Sequence, residues 1–178
     1  MREPDFRFRQ FSIWQDQCAM KVGTDSDLRG TLSQGGTQIL DIGTGTGTIA
    51  LMAAQRNPQA QICAIDIDEA SASEAAGNFA ASPWGSRLEA VHSPLQEFAS
   101  LNREFDLIFS NPPYFDNSLT NPEERKTDAR HTATLSYRDI FAYACGTLPG
   151  QDRPALSEDG RIALGLPAEE EQRLLREG

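Results

Sequence analysis

The segment Leu40-Asp41-Ile42-Gly43-Thr44-Gly45-Thr46-Gly47 constrains the fold more than any other stretch of the chain. It follows a strand-length apolar run, Ile39-Leu40-Asp41-Ile42, and precedes Ile49-Ala50-Leu51-Met52-Ala53-Ala54, a helical run that stops at Asn57-Pro58. Three closely spaced glycines let the chain turn sharply from strand to helix and let backbone N–H groups and a helix N-terminus come close to a ligand. The pyrophosphate fingerprint G-x-G-x-x-G is not met, because Thr48 stands where its third glycine belongs. G-x-G-x-G after Asp41 suits a nucleoside that has no pyrophosphate to cradle, such as S-adenosylmethionine. Tight packing of a turn is the plainer alternative.

Further apolar runs repeat the pattern. Ile62-Cys63-Ala64-Ile65, Leu88-Glu89-Ala90-Val91, Asp106-Leu107-Ile108-Phe109 and Arg161-Ile162-Ala163-Leu164-Gly165-Leu166 are each of strand length, and the alanine-rich stretch Glu69 to Ala81 reads as a helix stopped by Pro83. Strands alternating with helices predict an α/β fold, a doubly wound, mostly parallel sheet with helices on both faces. Ser33-Gln34-Gly35-Gly36 separates residues 1–32, an arm rich in aromatic and charged groups, from a core of residues 33–178. Asn111 to Thr134 is a polar loop longer than a compact domain carries without a functional reason.

The length of 178 residues fits one domain, and the formal charge of −10 argues against a polyanion held by charge alone. That excess is uneven. Residues 31–120 hold three basic against ten acidic residues, whereas residues 1–30 and 121–140 are each neutral and carry 9 of the 16 basic residues. Cys18, Cys63 and Cys145 are too widely spaced for a C-x-x-C pair and read as reduced, buried thiols. With only His92 and His131 beside them, no metal site is expected. The opening Met1-Arg2-Glu3-Pro4-Asp5 has no apolar leader, and no run reaches the length of a membrane span, so a cytoplasmic location is expected.

Two groups carry candidate chemistry. Asp66, at the end of the second run, is placed to accept hydrogen bonds from both hydroxyls of a ribose, while Asp68 reads as the N-cap of the next helix. Asn111-Pro112-Pro113-Tyr114-Phe115 follows the fourth run, where such folds place their chemistry. An exocyclic amine on a base is a poor nucleophile because its lone pair is delocalised. If the Asn111 side-chain oxygen and the Pro112 carbonyl each accept one N–H, the lone pair is held out of plane; Pro112 and Pro113 keep the acceptors rigid, and Tyr114 offers a face for stacking. A proline-rich turn with an Asn cap is the alternative.

With these residues together, the chain resembles the class I, Rossmann-like S-adenosylmethionine-dependent methyltransferases with an N-P-P-Y motif. Phe8-Arg9-Gln10-Phe11-Ser12-Ile13, Met20-Lys21-Val22-Gly23-Thr24-Asp25 and Ala129-Arg130-His131-Thr132 are similar to the bacterial tRNA1(Val) adenine-N6 methyltransferases, which modify adenosine 37. The resemblance implies that Asp41, Gly43, Gly45, Gly47 and Asp66 line an S-adenosyl-L-methionine site. Thr24 and Asp25 would close it from the N-terminal side, and Asn111, Pro112, Pro113 and Tyr114 would hold the adenine. Lys21, Phe115, Arg130 and His131 would face a tRNA substrate.

The chain departs from its relatives at two points. His92-Ser93-Pro94-Leu95-Gln96 lacks the acidic residue many of them place after the third strand, which leaves Gln96 or the backbone for the cofactor's adenine. The family also continues past the fifth strand with a helix and an antiparallel strand pair, which are expected to be missing here. Two other functions fit parts of the pattern: a protein glutamine N5-methyltransferase using the same motif, and a cofactor- or RNA-binding module without catalysis.

Overall fold

Strands buried on both faces need apolar side chains at successive positions, and the first, second and fourth runs read from the sequence form such strands, while the third and fifth form strands that are only partly buried. The computed structural model describes residues 6–7, 10, 12–13, 36–111 and 135–165. A short antiparallel pair, β1 (Phe6–Arg7) and β2 (Ser12–Ile13), lies in the N-terminal stretch. The core holds β3 (Gln38–Ile42), α1 (Thr48–Arg56), β4 (Gln61–Asp66), α2 (Glu69–Ala80), a 3₁₀ turn (Gly85–Arg87), β5 (Leu88–His92), α3 (Leu95–Ala99), β6 (Phe105–Ser110), α4 (Tyr137–Cys145) and β7 (Leu156–Leu164).

These five strands form one parallel sheet in the order β5-β4-β3-β6-β7. Side chains alternate between its faces. Ile39, Ile62, Ala64, Leu107 and Phe109 pack with Leu51 of α1 and Phe79 of α2, while Leu40, Ile42, Cys63, Ile65 and Ile108 pack with Phe98 of α3 and Tyr143 of α4. The expected doubly wound α/β architecture with helices on both faces is therefore present.

Several expectations need correction. The fifth strand begins at Leu156 and ends at Leu164, not at 161 and 166. Its early residues are polar, so periodicity concealed them, and the ladder with β6 is interrupted between Phe105 and Leu107. Helices α3 and α4 were not anticipated. Of the cysteines, Cys63 is buried, and burial pushes its thiol up to about 12, but Cys145 is exposed. It sits in the last turn of α4, beyond the helix face turned to the core. Cys18 lies outside the described residues.

Candidate active site

Because β3 leads to β4 on one side of the sheet while β6 lies on the other, the strand order reverses between β3 and β6. Ligands of such sheets bind in the crevice outside the carboxyl ends at this point. The glycine loop leaves β3 there and Asn111 follows β6.

All three loop glycines have positive φ, 75° at Gly43, 58° at Gly45 and 82° at Gly47. Gly47 is also fixed by space, since a Cβ there would stand 2.5 Å from the Phe79 ring. The loop is held from β4: the amides of Gly43 and Thr44 donate to the Ile65 carbonyl at 2.9 and 3.0 Å, and that of Gly45 donates to Asp66 Oδ2 at 2.9 Å. These three N–H groups are thus engaged within the fold, and the glycines serve the turn itself. From α2, the buried Asn78 donates to the Thr46 carbonyl at 2.9 Å.

Two carboxylates flank the loop. Asp41 is only 2% exposed, and Thr44 Oγ1 donates to it at 2.6 Å. Burial pushes its carboxyl up to about 7, against the Thr44 hydrogen bond and with a further push from the charge of Asp66. Asp66 is also raised, mainly by burial, although the amides of Asp68 and Gly45 donate to it. Two carboxyls that both resist ionisation favour a cationic neighbour. Asp68 is the N-cap expected, accepting from the Ser71 amide at 3.0 Å.

On the other side of the crevice, Ser110 is fully buried and its Oγ donates to the Ile42 carbonyl at 2.7 Å, tying β6 to β3. The next residue, Asn111, has its Oδ1 buried with no hydrogen-bond partner among the described residues. An amide oxygen in that position has an unused lone pair, which is a reason to look for an N–H that comes with a ligand.

Asp41, Gly43, Gly45, Gly47, Asp66 and Asn111 are thus brought to one edge of the sheet. Gln96 is exposed, in the first turn of the short α3; the chain leading to it is tied back by the Ser93 amide, which donates to the Asp66 carbonyl at 2.9 Å. Lys21, Thr24, Asp25, Pro112, Pro113, Tyr114, Phe115, Arg130 and His131 lie outside the described residues. Sequence reasoning missed Thr44, Asn78 and Ser110. Asn78 had a signal, a polar residue on the core face of an alanine-rich helix.

Residues 23–127 match the model of the methyltransferase small domain family. The tRNA1(Val) (adenine(37)-N6)-methyltransferase of Parabacteroides distasonis is 43% identical over 178 residues, an alignment covering 98% of this chain and 71% of that one. The chain belongs to this family. A relative of the same name from Bacteroides thetaiotaomicron is 50% identical over 144 residues, 79% of this chain and 60% of its own. The chain spans 60–61% of the length of the Bacteroides members. Among solved structures, TrmN from Thermus thermophilus is similar with a TM-score of 0.53 and 26% identity, over 78% of this chain and 36% of that one. Among the described residues no helix is long and apolar enough to cross a membrane, and no three His, Cys, Asp or Glu side chains gather to hold a metal ion.

Proposed function

We propose that the chain is the catalytic portion of an enzyme that transfers a methyl group from S-adenosyl-L-methionine to the exocyclic N6 of adenine in tRNA, at adenosine 37 of tRNA1(Val). The observation that carries this reading is the buried Asn111 Oδ1 at the switch point, without a partner among the described residues and immediately before Pro112-Pro113-Tyr114 in the sequence. The naming of the relatives supports the choice of substrate.

The residues present fit the cofactor. A positive-φ glycine loop, the Asp66 carboxylate at the end of β4 and a second carboxyl in Asp41 suit a nucleoside that carries positive charge. Asp41, Gly43, Gly45, Gly47 and Asp66 would hold it, with Gln96 toward its adenine and Thr24 and Asp25 toward its methionine end. When bound, S-adenosyl-L-methionine supplies an electrophilic methyl group.

The chain's own part is positioning. Asn111 Oδ1 and the Pro112 carbonyl each accept one N–H of the target amine, which turns the nitrogen lone pair out of the base plane. Tyr114 stacks on the base, Pro113 stiffens the acceptor turn, and Phe115, Lys21, Arg130 and His131 contact the RNA around it. No general base is needed before attack, because the amine becomes acidic once it carries a fourth substituent. Residues 1–32 act as an arm over the cofactor pocket. A target base in a tRNA loop is splayed out more cheaply than one in a duplex, and a tRNA substrate implies work in the cytoplasm.

The test is Asn111→Ala, assayed with unmodified tRNA, labelled S-adenosyl-L-methionine and nucleoside analysis of the product. Loss of one preorganised acceptor lowers turnover on the order of 10²–10³-fold. Turnover close to wild type would remove Asn111 from the mechanism.

A further inference from the structure

We infer that Gly165, just beyond the end of β7, is the positioning residue for the Asn111 acceptor. Its missing side chain is the space in which the Asn111 carboxamide lies. A Cβ built on Gly165 would fall on Asn111 Oδ1 and stand 3.0 Å from its Cγ and 3.4 Å from its Cβ. The two residues are held side by side by the ladder: Ser110 pairs with Leu164, and the Gly165 amide donates to the Ser110 carbonyl at 2.9 Å.

Other reasons for a glycine do not apply at this position. Gly165 is not among the glycines with positive φ, so no turn requires it. Instead its neighbours in the sequence are Leu164 and Leu166, and a slip of one residue would set a leucine against the carboxamide. The phase is set upstream. Between two paired positions β6 advances two residues, from Phe105 to Leu107, while β7 advances five, from Leu156 to Arg161. Those surplus residues bring Gly165, and neither leucine, beside Asn111.

The crowded atoms are the far end of a side chain with free torsions. Alanine at position 165 is therefore accommodated by the carboxamide swinging away and not by a shift of the strands. The effect should appear in the orientation of the acceptor and in turnover, with little change in folding.

This inference rests on reading Asn111 as the acceptor, and the experiment has two arms so that the two ideas can fail separately. In Gly165→Ala, kcat for tRNA methylation falls about 100-fold, the size expected when an aligning group is displaced by ~1 Å. KM for S-adenosyl-L-methionine and the melting temperature stay at wild-type values. In the second arm the side-chain amide NMR signals of Asn111, assigned by their loss in Asn111→Ala, shift in Gly165→Ala. Unchanged signals and unchanged kcat in a folded variant overturn the inference. If the wild-type protein methylates no tRNA, the proposed function fails, and the NMR arm alone still decides the role of Gly165. If Gly165→Ala does not fold, the double variant with Asn111→Ala decides. Recovery of the melting temperature of Asn111→Ala supports the inference, and failure to recover overturns it.

Discussion

At the amino edge of the sheet, Asp106 of β6 accepts from the Thr37 amide at 2.8 Å, the Thr37 hydroxyl at 2.8 Å and the Gln38 amide at 3.1 Å. At the carboxyl edge, Asp41 of β3 is more deeply buried and accepts from Thr44 alone among the described residues. The same contrast runs through their neighbours. Near the amino edge, Arg87 donates to the carbonyls of Ala54, Asn57 and Ala60 at 2.8–3.1 Å and closes the end of α1. At the carboxyl edge, Asn111 Oδ1 has no partner among the described residues. At the amino edge Asp106 and Arg87 are saturated with partners and fix where the strands begin. The other edge keeps hydrogen-bonding capacity and suppressed charge in reserve, which is what a binding crevice needs.

Aspartate substitutions at the two edges should therefore change stability in opposite directions. Asp41 has its folded-state pKa raised to about 7 from 3.8, so the folded state binds the extra proton between those values. Stability then falls as pH rises from about 4 to about 7, at about 1.4 kcal/mol per pH unit where the difference is full, and levels off above. Asp41→Asn removes that slope, so urea unfolding at pH 8 should show the variant more stable than wild type, with the gain shrinking toward pH 5. A variant that kept the wild-type slope would place the titration elsewhere. The same substitution weakens binding of a cationic cofactor, readable by calorimetry, so the gain in stability and the loss of binding arrive together.

Asp106→Ala should do the reverse, costing about 2 kcal/mol through its unpaired donors while leaving cofactor affinity unchanged. A loss of affinity without loss of stability would break the contrast between the edges. The smallest effect is expected for Arg87→Met, which keeps the apolar stem and removes the donors. About 1 kcal/mol should be lost, seen as a lower urea midpoint with an unchanged m-value.

Much of this layout was legible in the sequence, for physical reasons that differ by element. The strands β3, β4 and β6 were found because a strand buried on both faces is a near-continuous apolar run, β5 because its short run Leu88-Glu89-Ala90-Val91 is of strand length although only partly buried, and the glycine loop because few other residues tolerate its φ angles. Helix α4 was missed although Ser136 and Asp139 form a capping box, with the Ser136 hydroxyl accepting from the Asp139 amide at 3.1 Å and the Asp139 carboxylate accepting from the Ser136 amide at 3.2 Å. That signal was present and unused. Helix α3 has only five residues, too few for periodicity to register. The relation between Asn111 and Gly165 left no local trace, because it exists only across a ladder whose phase depends on an interruption between Phe105 and Leu107. Asp41, Asp66 and Asn111 could be nominated from their positions at or just beyond the carboxyl ends of strands, whereas Thr44, Asn78 and Ser110 support them through contacts that a linear reading does not contain.

The place of β7 in the sheet also sets an order of events as the chain is made. The glycine loop is closed by partners no further along than Asp66 and Asn78, so the cofactor half of the crevice can form from an early, local stretch of the chain. The other half needs β7, whose only strand partner among the described residues is β6, and Gly165 just beyond it leaves the ribosome long after Asn111. Vectorial synthesis would thus build the cofactor side before the acceptor side has its last wall, a sequence fixed by loop closure and chain direction. Pulse-labelled hydrogen exchange during refolding would reveal a related hierarchy as protection of Ile39 to Ile65 ahead of Arg161 to Gly165; simultaneous protection would mean the two halves form as one cooperative unit.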